Sequence, residues 1–461
     1  MTQTVLSVVV EVQPASAELL RNRIRDLKAR EVAPSIPGAR SYDHLRSAVP
    51  SLHFMSLTVF RDDQYDPVFV LEANFDGEPG PFWRQIEAAI GPELRDMLRC
   101  CKPPRDESAA LFEAVTRPQS RVPLAPLLEA RTVRPLVYHQ GNRGLDRARI
   151  LREGKLFVAV QGELNSGKYR NAPARQIQQK LRAVFLPLFP WLGEPVEPRI
   201  SVTENIVDWV RFGAFILLVI AALAAPWWVL AFALAPRAQL PGFSMTAVLV
   251  LAAAVVSFLF VLGWLHWLER RDPSQDEPEL DENAARTMAR HEDQIAQNHM
   301  ISIVHVKPGV LRAVLIRVGL RALGSVVRVF RHNGYLNSMR TIHFAHWALV
   351  SNGCRLMFHS NYDGSWESYL DDFIEKAHAG LTFAWTSGVG FPPTTNMFQG
   401  GATNGRLFKA WARHSMVESL FWFSAYREYS VNQIERQARI ANGLRRSSLT
   451  EEEGAAWAME L

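Results

Sequence analysis

The chain has 461 residues, enough for two or three domains with sizeable cores, and 48% of it is hydrophobic. Its net charge of +5 comes without the aromatic-interleaved basic stripe of a nucleic-acid binder and suits an anionic membrane surface instead. Three cysteines, Cys100, Cys101 and Cys354, exclude a disulfide framework and fit a reducing compartment.

In chain order, residues 1–12 read as a strand and are too short for a secretory signal. Pro14 stops that strand, and residues 17–27 have helical spacing. A strand over 52–60, a turn at Asp62-Asp63-Gln64 and a returning strand over 68–73 lead to Asn74-Phe75-Asp76-Gly77, with a helix from Pro81. Residues 133–137 are a further strand-like run, followed by YHQGNRGLDRARILREG over 138–154. The first half is thus 1–160. The connector 161–204 carries RAVFLPLFPWL, a segment suited to a membrane interface.

Residues 212–235 and 238–268 contain no Asp, Glu, Lys or Arg, and each exceeds the length of about 20 helical residues that crosses a bilayer. Pro236-Arg237 and Pro241-Gly242 make the short connection, so 205–270 reads as a transmembrane hairpin in a multi-pass protein with two spans. Trp209, Trp227, Trp228, Trp264 and Trp267 cluster near the span ends. Arg211, Arg270 and Arg271 flank the spans, with only Arg237 between them, which places the soluble parts in the cytoplasm. An acidic linker, 271–298, follows.

The remainder, 299–461, rewrites the first half. Residues 303–306 form a strand that Lys307-Pro308 stops, and 310–330 have helical spacing. That helix carries Arg312, Arg317, Arg321 and Arg328 without an acid, as suits an anionic bilayer surface. A strand over 342–350, a turn at Ser351-Asn352-Gly353 and a return over 355–360 end in Asn361-Tyr362-Asp363-Gly364, and a helix starts at Trp366. A strand-like run over 420–425 precedes YREYSVNQIERQARIANG, whose Arg439-Ile440 matches Arg149-Ile150. The repeated order is the split β-α-β pattern. The expected fold class is α+β, two ferredoxin-like halves closing one α+β barrel with the transmembrane hairpin inserted between them.

This arrangement resembles the dimeric α+β barrel superfamily, and its single-chain duplication is similar to the dye-decolorizing haem peroxidases. The resemblance implies haem in the second half on a proximal histidine, with a distal aspartate in Gly-x-x-Asp-Gly and an assisting arginine. Ala73–Gly77 and Ser360–Gly364 both keep the Asp-Gly spacing and lack the first glycine. Asp363 and Asp76 are therefore the candidate acid/base groups. At the same junction, aspartate also caps a following helix and glycine permits positive φ, so the pair reads equally as two matched turns.

His332, His343, His346, His359, His378 and His414 lie in the second half. His53 and His343 hold equivalent places, which points to a shared structural role. His414, His359 and His346 have no histidine counterpart in the first half and are the candidate haem ligands, with His414 first as the metal ligand because a helix over 407–420 presents it. The Gly/Pro-rich loop 386–405 reads as a lid or binding loop. Its amides near Gln399-Gly400-Gly401 offer an anion cradle, and Arg406 beside them completes the catalytic set. Two functions follow. One is a membrane-anchored haem-dependent peroxidase-like or oxygenase-like enzyme acting on a lipophilic small molecule. The other is a non-enzymatic membrane-tethered scaffold that binds a partner protein or lipid. The lipid bilayer is a partner in both, nucleic acid in neither, and self-association stays open.

Overall fold

The computed structural model describes residues 3–32, 41–170, 172–195, 199–234, 243–274, 278, 282–292, 296–330 and 339–461. The fold is mixed α+β with antiparallel sheets. The first part contains β1 (Gln3–Glu11), α1 (Ala17–Val32), α2 (Asp43–Ala48), β2 (Leu52–Phe60), β3 (Val68–Asp76), α3 (Pro79–Leu98), α4 (Ala109–Thr116) and α5 (Ala125–Ala130). It ends with β4 (Thr132–Val133), β5 (Val137–Gln140), α6 (Arg147–Leu164) and α7 (Ala174–Phe185). Two long apolar helices, α8 (Val202–Leu234) and α9 (Phe243–Glu269), and then α10 (Glu282–Glu292) separate it from the second part. There follow β6 (Gln297–His305), α11 (Val310–Val329), β7 (Ile342–Val350), β8 (Arg355–Asp363) and α12 (Trp366–Trp385). The chain closes with β9 (Thr394–Thr395), β10 (Gln399–Gly400), α13 (Gly405–Ser415), β11 (Phe421–Ser424), α14 (Val431–Arg445) and α15 (Glu451–Ala458).

One sheet has the order β11-β2-β3-β1-β4 and the other β5-β7-β8-β6. The same register is used in both. Gln3 pairs with Asp76 and Gln297 with Asp363, and bulges lie at Leu52/Phe54 and Ile342/Phe344. Helices α3 and α12 even break at matching residues, Ile90 (φ −136°) and Ala377 (φ −141°). β2, β3 and β8 are buried on both faces; β2 accordingly reads as a largely apolar run, whereas β8 buries Arg355, His359, Ser360 and Asn361.

The expected strand over 133–137 is instead divided between sheets. Thr132-Val133 pairs with β1, whereas Val137–Gln140 pairs with β7. Pro135 lies at the break, where a residue without an N–H cannot continue a ladder. The second part does the same. Met416 bridges to Ser302 of β6, and Phe421–Ser424 then pairs with β2 of the other sheet. Each part therefore gives its last strand to the sheet of the other. The helix expected over 407–420 accordingly stops at Ser415, because Met416 is already extended.

Helices α1 and α3 bury Leu20, Ile24, Phe82 and Trp83 on the first sheet. Helices α11, α12 and α13 bury Ile316, Phe373 and Trp411 on the second. Between the sheets, Val68 and Val70 meet Ile301, Ile303, Ala348 and Met357. A separate core joins α6, α7, α14 and α15 through Leu156, Leu181, Ile440 and Trp457. Within the 182–192 segment, Phe185 and Leu192 belong to that core, while Val184 and Leu188 are exposed.

Helices α8 and α9 are long and apolar enough to cross a membrane, and 0% and 11% of their most apolar windows are buried. The expected turn at 236–242, including Arg237, lies outside the described residues, as does His332. Helix α8 meets the second part through Trp209 and Phe212, whose rings pack edge-on against Phe330. At the end of α9, Glu269 accepts from the amides of Asn396 and Met397 at 2.7 and 2.9 Å. Both residues have positive φ, which turns their N–H groups inward. The 386–405 loop does cradle an anion, but at 394–397, and the anion is the chain's own carboxylate. Asp272 in turn holds Lys307 at 3.0 Å and Arg312 at 2.7 Å, so Arg312 of the basic helix is buried in an ion pair and does not face outward.

Candidate metal centre

The alternation of β3 turns Glu72 and Asn74 to the side facing the other sheet, where β8 presents His359 and Asn361 in the matching register. Glu72 and His359 are both 0% exposed, and the His299 side chain, from β6, is 2% exposed. One ligand atom from each of these three lies within 4.8 Å of the others. His299 Nε2 is 3.1 Å from Glu72 Oε2, and His359 Nδ1 is 3.7 Å from the same oxygen. His299 Nε2 is thus within ion-pair distance of Glu72, whereas neither ring nitrogen of the buried His359 has a hydrogen-bond partner at normal range. An unbonded buried polar group is costly, and His359, whose Nδ1 is 3.7 Å from Glu72 and whose Nε2 has no partner, leaves a place for a further atom to bind.

The surrounding residues aim these groups. Asn74 and Asn361 donate to Glu72 Oε1 at 2.6 and 3.0 Å, and Ser56 donates to Oε2 at 2.9 Å. Trp422 Nε1 fixes Asn361 by donating to its Oδ1 at 2.9 Å. Ser419 Oγ lies 2.6 Å from His299 Nδ1, which leaves Nε2 directed at Glu72. An outer partner on one imidazole nitrogen with the other left for a metal is the usual arrangement around ligating histidines. Burial opposes ionisation of Glu72, but contacts with His299 and His359 outweigh it and hold the carboxyl well below its ordinary range. Burial pushes His359 down and pushes His346 down to about 3, with the neighbouring His359 adding to the latter. An anionic Glu72 beside a neutral His359 imidazole is a protonation state that suits a metal.

His346 and His359, two of the three histidines singled out from sequence, are brought together. Their rings stack at 4.8 Å between centroids, and His346 Nε2 lies 3.1 Å from Ser7 Oγ. The third, His414, is on α13 and borders a different groove of about 590 Å³ with Asp62 and His305. Asp62 there meets His305 at 3.0 Å and the buried Arg355 at 3.1 Å. Arg406 is exposed on the first turn of α13.

Asp76 and Asp363 take up matched structural posts. Asp363 Oδ1 is 2.8 Å from His343 Nε2, and its Oδ2 accepts from the Val431 amide at the start of α14. Asp76 Oδ1 is 2.9 Å from His53 Nε2, and its Oδ2 accepts from the Arg147 amide at the start of α6. Each ties a strand histidine to the N-terminus of a helix, where a carboxylate is favoured. Gly77 and Gly364, at φ 92° and 83°, make the turns. The equivalence of His53 and His343 is thus matched by equivalent partners.

Sequence reasoning missed Glu72 and His299. A comparison of the two echoes residue by residue carries the signal, since Leu71-Glu72-Ala73-Asn74 aligns with Phe358-His359-Ser360-Asn361. No family model, curated protein or solved structure matches this chain.

Proposed function

We propose that this chain is a membrane-anchored metalloenzyme in which two ferredoxin-like halves close one α+β barrel around a divalent ion held by Glu72, His299 and His359. The barrel reading is supported by the common register of the two sheets and by the exchange of last strands between them. The bilayer reading is supported by the exposed apolar length of α8 and α9, and Arg211, Arg270 and Arg271 favour a cytoplasmic location for the soluble parts.

The observation that carries the metal assignment is His359, fully buried with neither ring nitrogen hydrogen-bonded and with Glu72 and His299 within reach. Two imidazoles and one carboxylate suit Fe(II), Mn(II) or Zn(II). Such a set leaves coordination positions for water or substrate, and a bound ion supplies Lewis-acid polarisation of an oxygen there. The chain itself orients the carboxylate through Asn74, Asn361 and Ser56.

The haem-dependent oxidation of a lipophilic molecule implied by the resemblance shares His359 with this set, and His346 stacks on it. His359 is enclosed by the His346 ring on one side and Glu72 with His299 on the other, surroundings that fit an ion and not a macrocycle. The test is elemental analysis of the full chain purified in detergent, with a pyridine haemochrome assay on the same sample. One equivalent of metal, lost in Glu72→Gln and His359→Gln and without haem absorbance, is expected. A chain that takes up no Fe(II), Mn(II) or Zn(II) after reconstitution refutes the assignment, and a haemochrome spectrum restores the haem reading.

A further inference from the structure

A cavity of about 260 Å³ has His299 in its lining. Trp422, Tyr42, Lys28 and Arg427 line it, together with Thr287 and Met288 of α10. Its volume lies just below the roughly 300 Å³ at which drug-sized ligands begin to fit, so the occupant is small. Trp422 lies nearly parallel to the His299 ring, 18° between planes, and thus forms a flat wall leading to the metal ligand.

The charge of the cavity is positive and partly uncompensated. The Arg427 guanidinium lies 4.5 Å from the Tyr42 ring centroid and 5.4 Å from that of Trp422. It donates to the Trp422 carbonyl at 3.2 Å, while its buried Nε has no hydrogen-bond partner. Among the described residues neither Arg427 nor Lys28 has a carboxylate within ion-pair distance. The acid on the cavity wall, Glu418, is 3.6 Å from Arg21. A guanidinium steadied by two aromatic faces, with a donor left over, is preorganised for a planar anion.

We infer that this cavity is the substrate site and takes a small aromatic carboxylate. Arg427 and Lys28 hold the anionic end, Trp422 and Tyr42 face the ring, and the far end points to His299. The inference rests on the metal assignment for the chemistry but not for the binding.

The test uses calorimetric titration of the full metal-loaded chain in detergent with benzoate, with benzamide as its neutral isostere and inorganic phosphate as a competing oxyanion. Benzoate is expected to bind one to one and benzamide at least about tenfold more weakly, the loss of one charge-assisted contact. Arg427→Met should weaken benzoate by a similar factor with metal content unchanged, and Arg427→Lys should recover part of it. Lys28→Met, on a partly exposed helix face, should give a smaller loss without a folding effect. Equal affinity for benzoate and benzamide, tighter binding of phosphate than of benzoate, or wild-type affinity in Arg427→Met overturns the inference. A chain that binds benzoate with this charge dependence but holds no metal refutes the metal assignment and leaves the cavity assignment standing. A metal-loaded chain indifferent to benzoate does the reverse.

Discussion

Replacing Asp363 by alanine removes two contacts at once. The carboxylate meets His343 Nε2 at 2.8 Å and accepts the Val431 amide at 2.8 Å. His343 is 1% exposed, so water cannot take the place of the carboxylate at the ring. At about 1.5–3 kcal/mol for each hydrogen bond to a charged group, Asp363→Ala costs roughly 3–6 kcal/mol. Asp363→Asn keeps an amide oxygen for the Val431 N–H and costs about half as much. Asp76→Ala should match it, since the Arg147 amide and His53 stand where Val431 and His343 do. The assay is urea denaturation of the full chain in detergent, followed by near-ultraviolet circular dichroism, with metal content measured on the same samples. The structural reading requires stability to fall at both sites while the metal stays bound. An Asp363→Ala chain that unfolds with the wild type, or one that keeps its stability while losing the metal, would refute the structural role of Asp363.

Three further outcomes are expected. Burial pushes His139 down to about 4, so as pH falls below about 6.5 the unfolded chain takes up the proton first. Stability is therefore full above that pH and falls by about 1.4 kcal/mol per pH unit toward 4. His139→Gln should flatten this slope, and identical slopes in variant and wild type would contradict it. Glu269→Ala frees the Asn396 and Met397 amides and the Thr394 hydroxyl, so thermolysin should cut within 386–405 several-fold faster; an unchanged rate would show that the carboxylate does not hold the loop. A Cβ at Gly443 would lie 2.2 Å from Trp457 Cδ1, so Gly443→Ala should cost about 1–3 kcal/mol by overpacking, and an unchanged melting temperature would show that Trp457 moves aside freely.

The parts of this fold that follow local rules were legible in the sequence. The Asn-x-Asp-Gly echoes and the hairpin turns at 62–64 and 351–353 carry their own signal within a few residues, and the charge-free runs 212–235 and 238–268 carry theirs in their length. The exchange of strands was not legible, because a run such as 132–140 does not say which sheet it joins. Only Pro135 marks where one ladder ends and another begins. The anion cradle expected at Gln399-Gly400-Gly401 is formed instead by the Asn396 and Met397 amides, and its anion arrives from Glu269, more than a hundred residues away.

The candidate metal centre escaped for a related reason, and that reason bears on how such a site would arise. Glu72 and His299 come from different sheets and from strands in which other polar residues, Asn74 and Gln297 among them, are buried too, so neither stands in a motif. What the sequence does hold is a comparison. In matched registers, Ser7 faces Glu72 across one ladder and Ile301 faces His359 across the other. Two facing copies of a symmetric pattern would place like with like. A pair of carboxylates there would repel without a cation, and a pair of imidazoles would lack the charge that draws one in. One carboxylate facing one imidazole, with His299 added where the first part has Val5, brings hard and borderline donors to a single point. The position at which the two halves differ in charge is therefore the place to look for chemistry, and the positions they share, Asp76 with Asp363 and His53 with His343, are the ones that hold the strands and helices in place.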